Sequence, residues 1–201
     1  RDQAERGFSF RQAGPLDMRM EPGRGESAAD WLARASQEEI SQILQEYGEE
    51  RFAKRIAKRI VEQRVEQPIT RTLQLANIIA AANPAWEKHK HPATRSFQAI
   101  RIFINRELDD LSVCLNQCLE VLAVGGRLAV ISFHSLEDRI VKKFIQKNQR
   151  GDDFPPGLPV TKDQLRPKLK RIAWGVTASD EEINNNPRAR SAILRVAEKL
   201  Q

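Results

Sequence analysis

The 201-residue sequence lacks long apolar runs and contains only two cysteines and one tyrosine. Its longest uninterrupted apolar run is the five residues 78–82, whereas a membrane-spanning helix needs about 18. The first residues do not combine a basic start with an apolar stretch, which is the pattern of a secretory signal. These absences exclude a membrane-spanning protein and favour a cytoplasmic one.

The cysteines do not suggest a disulfide framework. Cys114 and Cys118 stand four residues apart within a helical pattern, and no spacing typical of a zinc module surrounds them. We therefore expect two small buried side chains and no metal site.

A glycine-rich cofactor loop is also lacking. Gly125 and Gly126 precede a predicted strand, whereas the glycines of a dinucleotide-binding loop follow the strand and begin a helix. The pair is typical of a helix end and a turn. The sequence therefore offers no glycine-rich loop for a cofactor. The first residue is Arg1 and not methionine, which predicts that the chain is a fragment.

Positive charge is what the sequence has in excess. It contains 33 lysines and arginines against 27 aspartates and glutamates, a formal net charge of +6. This excess makes nucleic acid or another polyanion the first partner to consider. Charge alone does not identify the partner, since many classes of protein have a basic surface.

The first half of the chain reads as helical. Residues 1–26 show little periodicity, but their two phenylalanines and two methionines favour a loop that packs against the rest. Serine caps are expected to open the next two helices, at Ser27 and Ser36, and Thr70 to cap the fourth. The longest pattern, residues 97–122, predicts one amphipathic helix of about seven turns.

The second half has an α/β pattern. The continuous apolar centre of residues 127–133 is typical of a strand covered on both faces, and residues 136–148 resume helical spacing. Four prolines make residues 149–168 a predicted loop. Residues 169–176 and 192–197 are expected to pair as antiparallel strands with a long connection.

Residues 132–139 carry the most concentrated chemistry. They read Ser-Phe-His-Ser-Leu-Glu-Asp-Arg and lie just past the predicted strand, at the edge where open α/β sheets bind ligands. A histidine beside two carboxylates and an arginine suits proton transfer or the binding of a phosphate. An ordinary helix cap remains an alternative, because Ser135 followed by Asp138 fits a capping box.

Arginines in two further places are candidates for phosphate contacts. Arg188 and Arg190 precede the last strand, although a solvated basic turn explains their spacing equally well. Arg95 lies near the expected start of the long helix, where Thr94 is the expected cap. Helix starts attract anions, and an arginine there strengthens the attraction.

Eight separated strings carry a resemblance to a known family. They are Glu5–Phe10, Gly14–Met20, Tyr47–Arg51, His91–Arg95, Phe97–Arg101, Gly125–Leu128, Ser132–Arg139 and Asn186–Ser191. Together, in this order and over nearly the whole chain, they closely resemble the bacterial MraW/RsmH family. The resemblance implies an S-adenosylmethionine-dependent methyltransferase that acts on the exocyclic N4 of a cytidine in the decoding region of small-subunit (16S) ribosomal RNA.

The resemblance also implies an architecture. It is an incomplete Rossmann-like class I methyltransferase sheet, with the later strands only, and an inserted all-helical substrate-recognition domain. Residues 1–26 would be a loop segment near the active site, 27–105 the inserted domain and 106–201 the carboxyl-terminal part of the methyltransferase domain. The cofactor-binding half is expected upstream of Arg1, so the chain alone is expected to be inactive.

Loss of that half is expected to leave a sheet edge and one sheet face uncovered, which a homodimer would be able to cover. The implied partner is 16S ribosomal RNA within the small ribosomal subunit. Two alternatives stay open: a non-catalytic RNA- or ribosome-binding helical module, and a basic helical scaffold without an RNA role.

Residue roles follow from the resemblance as a hypothesis. Asp17, His134 and Glu137 are the expected catalytic residues, and they would form the wall of a pocket together with Arg19. Phe8 or Phe10 would stack the target base. The expected substrate-binding residues are Phe8, Phe10, Arg19, Ser135 and Arg139, with Arg95, Arg101, Arg188 and Arg190 as contacts to backbone phosphates.

Overall fold

The computed structural model describes residues 4–85, 91–151 and 165–201. The chain divides into two compact units, Arg1–Glu107 and Leu108–Gln201. Most of the predicted loop 149–168 lies outside the described residues. Among the described helices, none has both the length and the apolar character needed to cross a membrane.

The first unit is helical. A 3-10 turn at Ala4–Arg6 precedes α1 (Ala28–Arg34), α2 (Gln37–Gly48), α3 (Ala53–Glu66), α4 (Thr72–Ala82) and α5 (Ala93–Asn105). Helix α2 packs against α3 and α5, α4 packs against the same two helices, and α1 packs against α5. The largest fully buried side chains of this core include Trp31, Leu44, Ile56, Ile79 and Ile100.

The two serine caps form as predicted. Ser27 accepts a hydrogen bond from the backbone N–H of Asp30, whose carboxylate accepts one in return, so the capping box is confirmed. Ser36 likewise accepts from the backbone N–H of Glu39. The Glu39 carboxylate accepts a bond from the indole nitrogen of the buried Trp31, at 2.9 Å.

The predicted cap at Thr70 is wrong. Helix α4 begins at Thr72 after Arg71, which makes no side-chain cap. The backbone N–H of Thr70 donates to the side chain of Gln74, and its carbonyl accepts from Leu16. Thr70 therefore belongs to the backbone pairing that holds the amino-terminal segment.

The amino-terminal segment is a packed loop, as its composition predicted. Leu16 and Met18 are fully buried in the helical core. Thr72 exchanges two bonds with Gly14: its backbone N–H donates to the glycine carbonyl, and its hydroxyl accepts from the glycine N–H. At Gly7, where φ is +70°, a β-carbon would lie 2.4 Å from the carbonyl oxygen of Pro15, so only glycine fits.

The predicted seven-turn helix is two helices. Helix α5 ends at Asn105, Arg106 adopts a left-handed φ of 51°, and α6 (Glu107–Val121) begins directly afterwards. The Asn105 side chain donates to the carbonyl of Met18 and accepts from the N–H of Met20, at 2.7 Å each. The prediction missed this break because the apolar spacing continues past Arg106. A pattern of apolar side chains does not show that the backbone of a single residue takes a left-handed conformation.

The predicted start of α5 also needs correction. Pro92 precedes the helix without a side-chain cap, so Thr94 is not the cap. The ring nitrogen Nδ1 of His91 accepts from the backbone N–H of Ala93 at 3.1 Å. A histidine therefore takes the role that was assigned to a hydroxyl.

The second unit is an α/β structure built on a three-stranded antiparallel sheet. Its elements are α6, β1 (Arg127–Ser132), α7 (Ser135–Arg150), β2 (Leu169–Thr177), α8 (Asp180–Asn185), a 3-10 helix at Pro187–Ser191 and β3 (Ile193–Lys199). The strand order is β1-β3-β2, so the predicted antiparallel pairing of the last two strands is confirmed.

Strand β1 is covered on one face only within the described residues. Leu128 and Val130 point toward the core that α6 and α7 form, whereas Ile131, on the other face, is 57% exposed. The expectation of cover on both faces is therefore wrong for this unit, because a short apolar run does not reveal which of its faces has a neighbour.

The two cysteines are not buried. Cys114 is exposed and Cys118 is partly exposed, both as free thiols on α6 with their sulfur atoms 3.9 Å apart. Partial burial raises the pKa of the Cys118 thiol. The prediction failed because both residues lie beside the apolar stripe of α6, of which Leu115 is the buried member.

We predict that Gly48→Ala destabilises the first unit. A β-carbon at this position in α2 would lie 2.8 Å from the backbone carbonyl oxygen of Arg95 in α5, and the backbone cannot rotate away as a side chain can. Overpacking of this kind costs about 1–3 kcal/mol. Denaturant unfolding measures it, with Gly23→Ala as the control because a β-carbon there meets no atom within 4 Å. Equal stability of the two variants would contradict the close packing of α2 on α5.

Candidate functional site

The loop between β1 and α7 is closed by a capping box. Nδ1 of His134 accepts a hydrogen bond from the backbone N–H of Glu137 at 3.3 Å. In return, one carboxylate oxygen of Glu137 accepts from the backbone N–H groups of Phe133 and His134, at 2.8 and 3.2 Å. The loop that the sequence singled out is thus held by its own two titratable side chains.

The alternative cap by Ser135 and Asp138 is wrong. The helix begins one residue earlier than that cap requires, so Ser135 is its first residue and its side chain is exposed. Histidine is uncommon as a cap, but an unprotonated Nδ1 accepts a hydrogen bond as a serine oxygen does. Ser135 and Arg139, both exposed, stay predicted substrate contacts.

His134 has a hydrogen-bond donor, and Glu137 a hydrogen-bond acceptor, that the capping box does not use. Because Nδ1 accepts a bond, the neutral imidazole carries its proton on Nε2. Nε2 lies 3.1 Å from the free carboxylate oxygen of Glu137, but the two groups are not aligned as a hydrogen bond, and Nε2 is buried. Burial raises the pKa of the Glu137 carboxyl, and the bonds from His134 and Phe133 outweigh it, so the net shift is downward. The Glu137 carboxylate is therefore ionised at neutral pH.

A buried ion pair anchors the next residue of this helix. The Asp138 carboxylate accepts two bonds from the guanidinium of Arg195 in β3, at 2.6 and 2.8 Å, and the two side chains are 16% and 8% exposed. The bonds from Arg195 hold the pKa of the Asp138 carboxyl below its ordinary range. The guanidinium also lies 4.3 Å from the ring centroid of Trp174 in β2.

Sequence reasoning missed Arg195 and Trp174. The signal was present, because Arg195 stands in the last strand at a position paired with Val130 of β1, whose side chain points to the core. A charged residue at an inward position of a strand needs a buried partner. The partner is Asp138, which sequence reasoning had placed in a cap.

Polar groups without partners collect at this end of the unit. The Ser132 hydroxyl, Nη1 of Arg195 and Nε2 of His134 are all buried and have no hydrogen-bond partner among the described residues. Ser132 and Arg195 project from the same face of the sheet, because their cross-strand partners are two residues apart. Buried polar groups are normally satisfied, so such a cluster is typical of a place where a ligand binds.

Asp17 and Arg19 form a second ion pair, in the first unit. The guanidinium donates two bonds to the carboxylate, at 2.7 and 2.9 Å, and a third to the carbonyl of Gly25. Hydrogen bonding from Arg19 lowers the pKa of the Asp17 carboxyl. Between them, Met18 takes a left-handed φ of 63° while its side chain is fully buried. The catalytic role of Asp17 and a pocket shared with His134 stay predictions.

The two candidate stacking rings differ in their surroundings. Phe10 lies against the rings of His91 and Phe97, with centroids 4.6 and 4.9 Å away. Phe8 is half-buried and has the guanidinium of Arg6 over its ring at 5.0 Å. Since Phe10 already has two ring partners, Phe8 is the better candidate for stacking a base.

The four arginines that were predicted to contact phosphates differ in the contacts they make within the protein. Arg101 makes a two-bond ion pair with Glu107, at 2.7 and 2.9 Å, and both side chains are only 12% exposed. Because Nε and Nη2 of Arg101 are engaged within the protein, Arg101 is the weakest of these candidates, and its phosphate contact stays a prediction. Arg95 is half-buried and donates to the carbonyl of Glu49. Arg188 and Arg190 are exposed on the 3-10 helix Pro187–Ser191.

Comparison with known proteins identifies relatives of the whole chain. The sequence model of the MraW methylase family matches residues 1–200. A protein of Thioalkalivibrio sulfidiphilus (strain HL-EbGR7), named ribosomal RNA small subunit methyltransferase H, is 60% identical over 200 residues. The match covers 99% of this chain and 64% of that relative, so the chain spans less than two thirds of the relative's length.

We predict that Asp138→Asn destabilises the second unit in a pH-dependent way. The variant leaves Arg195 buried without its anionic partner, which costs about 3–5 kcal/mol at pH 7. The folded pKa of Asp138 lies below the unfolded value of about 3.9, so the contribution of the pair is full above that pH. It is lost as the pH falls through the folded pKa.

Unfolding free energies at a series of pH values check this prediction. The difference between the parent and Asp138→Asn should narrow below about pH 4. Asp110→Asn, at an exposed carboxylate of α6, is the matched control and should differ little from the parent at every pH. If the difference in unfolding free energy between the parent and Asp138→Asn stayed constant down to pH 2, the role of this ion pair would be contradicted.

Proposed function

The chain belongs to the MraW methylase family, and on that premise we propose that it is part of an S-adenosylmethionine-dependent enzyme. The substrate would be the N4 amine of a cytidine in the decoding region of 16S ribosomal RNA. The match to the family over residues 1–200 carries the proposal, and the name of the 60% identical relative supports the rRNA substrate. The small ribosomal subunit would be the partner and the cytoplasm the site of action.

The chemistry of the base explains what His134 and Glu137 would do. The N4 amine of cytosine is a poor nucleophile, because its lone pair is delocalised into the ring. An acceptor that hydrogen-bonds an amine proton, together with a donor to the ring N3 or O2, would orient the amine for attack. The ionised Glu137 offers the acceptor at its free oxygen, and Nε2 of His134, 3.1 Å away, offers the donor.

The described loop between β1 and α7 does not by itself fit the methyl donor. The loop that follows β1 contains no glycine and is closed by the bonds between His134 and Glu137. It therefore offers no open backbone surface for a nucleoside. We propose that the donor binds to residues outside this chain, in the part of the enzyme that the relative has in addition.

The first unit would contribute the recognition of RNA. A target base must be unpaired or flipped to enter a pocket, and stacking on an aromatic ring such as Phe8 is worth about 1–3 kcal/mol. Asp17 and Arg19, fixed by their ion pair, would complete the pocket wall. In this proposal residues 27–105 are the inserted recognition domain, and residues 1–26 and 106–201 belong to the methyltransferase domain.

A non-catalytic role for the chain alone is the second candidate. The observation that favours it is the loop after β1, which offers no surface to the methyl donor. An RNA-binding module would keep the basic surface and lose the reaction. Titration of RNA at several salt concentrations distinguishes it from a scaffold without an RNA role, because phosphate contacts make binding weaken steeply with salt.

We predict that the 201-residue chain does not bind S-adenosylmethionine, whereas the full-length protein that contains it does. Isothermal calorimetry of both proteins, under the same conditions, measures this. Binding by the short chain with the affinity of the full-length protein would show that the donor site lies within these 201 residues. The proposed division of the enzyme would then fail.

We predict that His134 has separable roles in stability and in methyl transfer. In the full-length protein, His134→Ala should lose the cap, at a cost of about 1 kcal/mol, and lose methyl transfer. His134→Asn should restore the cap, because an asparagine oxygen accepts the bond from Glu137, but it has no group in the place of Nε2.

Methyl transfer to unmethylated small-subunit RNA and thermal unfolding are measured together. We expect at least about a hundredfold lower turnover for both variants, the scale of a positioned proton donor. Only His134→Asn should unfold near the parent temperature. Parent-like turnover by His134→Asn would remove His134 from the site.

A further inference from the structure

Helix α7 separates its charges by sign. Its only two carboxylates, Glu137 and Asp138, lie in the first turn, where both are engaged in the capping box and the ion pair. From residue 139 to residue 150 the helix contains five cations and no carboxylate. The outer face of the helix is therefore cationic over nearly three turns.

Three of these cations form one stripe. Lys143, Lys147 and Arg150 are exposed and follow the i, i+4, i+7 spacing of a single helix face. The buried residues Val141 and Ile145 lie on the opposite side of the helix, toward the core. The stripe extends about 10 Å along the axis, and it begins about 9 Å from Glu137.

A further exposed cation lies beside the last turns of α7. Helix α7 packs against β2, and the backbone N–H of Lys168, just before β2, donates to the carbonyl of Asn148 at 2.8 Å. Lys168 is exposed, and residues 165–171 contain no carboxylate. We call Lys143, Lys147, Arg150 and Lys168 the basic track. Among the described residues, none of the four has an ion pair.

From this placement we infer that the basic track binds the phosphate backbone of the RNA substrate, about two and a half to four and a half helical turns beyond the loop at His134. The inference rests on the proposed function for the identity of the RNA. Phosphate contacts fix the register of a nucleic acid, while contacts to bases select the sequence. The track would therefore place the strand so that one base reaches the loop.

The packing of α7 excludes a membrane surface as the occupant. A basic amphipathic helix binds a lipid surface by inserting its apolar face, and here that face is buried against the sheet. Repulsion between neighbouring lysines is relieved by a polyanion of regular charge spacing, which RNA provides. An acidic protein is the remaining competitor, and the experiment includes it.

The test compares two variants of the full-length protein that lose the same charge. In one, Lys143, Lys147, Arg150 and Lys168 are changed to Gln. In the matched control, Lys54, Arg55, Lys58 and Arg59, four exposed cations of the amphipathic helix α3 in the first unit, are changed to Gln. None of these eight residues is assigned to the pocket or to a phosphate contact. Helix α3 does lie in the proposed recognition domain, but Lys58 and Arg59 already pair with Glu62. Thermal unfolding and calorimetry with S-adenosylmethionine show whether each variant folds as the parent does.

We expect the track variant to raise KM for RNA about tenfold or more at 0.1 M salt, with kcat within about twofold of the parent. The salt dependence of RNA affinity should flatten by about three in logarithmic slope, since each phosphate contact contributes about 0.7–0.9. The α3 variant should change KM by less than about threefold. Because both variants lose the same charge, this contrast in KM would show that RNA binding depends on where the charges lie and not only on their number.

Three results would overturn the inference. They are a KM for the track variant within twofold of the parent, an equal rise in both variants, and a loss of kcat with KM unchanged. Competition by poly-glutamate as strong as by RNA would assign the track to an acidic protein and also overturn it. If the parent protein transfers no methyl group, the proposed function fails, and RNA binding measured by fluorescence anisotropy still decides the track.

Discussion

The ion pair between Asp138 and Arg195 determines the geometry of the second unit. It joins the first turn of α7 to the central strand β3, and Trp174 of β2 covers the guanidinium. Replacement of such a pair by apolar residues is often neutral for stability, but removal of one partner is costly. We infer that its contribution is mainly one of specificity, because it fixes the first turn of α7 on β3, next to His134 and Glu137.

A few hydrogen bonds likewise position the amino-terminal segment of the first unit. Residues 14–20 have almost no regular structure, yet Thr72 and Asn105 bind their backbone from two different helices. These bonds satisfy backbone groups that burial of Leu16 and Met18 removes from water. The Asp17–Arg19 pair is held in place as a result.

Local signals predicted the local structure only in part, since the caps expected at Thr70 and Thr94 are wrong. The serine cap at Ser27 and the pairing of the last two strands depend on residues close together or on a simple alternation, and both are confirmed. The break at Arg106 and the ion pair of Arg195 were missed, because each depends on contacts with residues far away in the sequence. The loop at 132–139 was found from sequence, but the roles within it were exchanged. Asp138 was assigned to the cap, and the cap is made by a histidine.

Each compact unit is one continuous stretch of the chain, and the chain passes from the first to the second only once, between Glu107 and Leu108. During synthesis, every contact within the first unit is therefore made by residues that exist before Leu108 is added. Domains of a growing chain generally fold as units from the amino terminus. The left-handed turn at Arg106 comes just before the boundary between the two units. It is therefore synthesised just before the last residue of the first unit, Glu107.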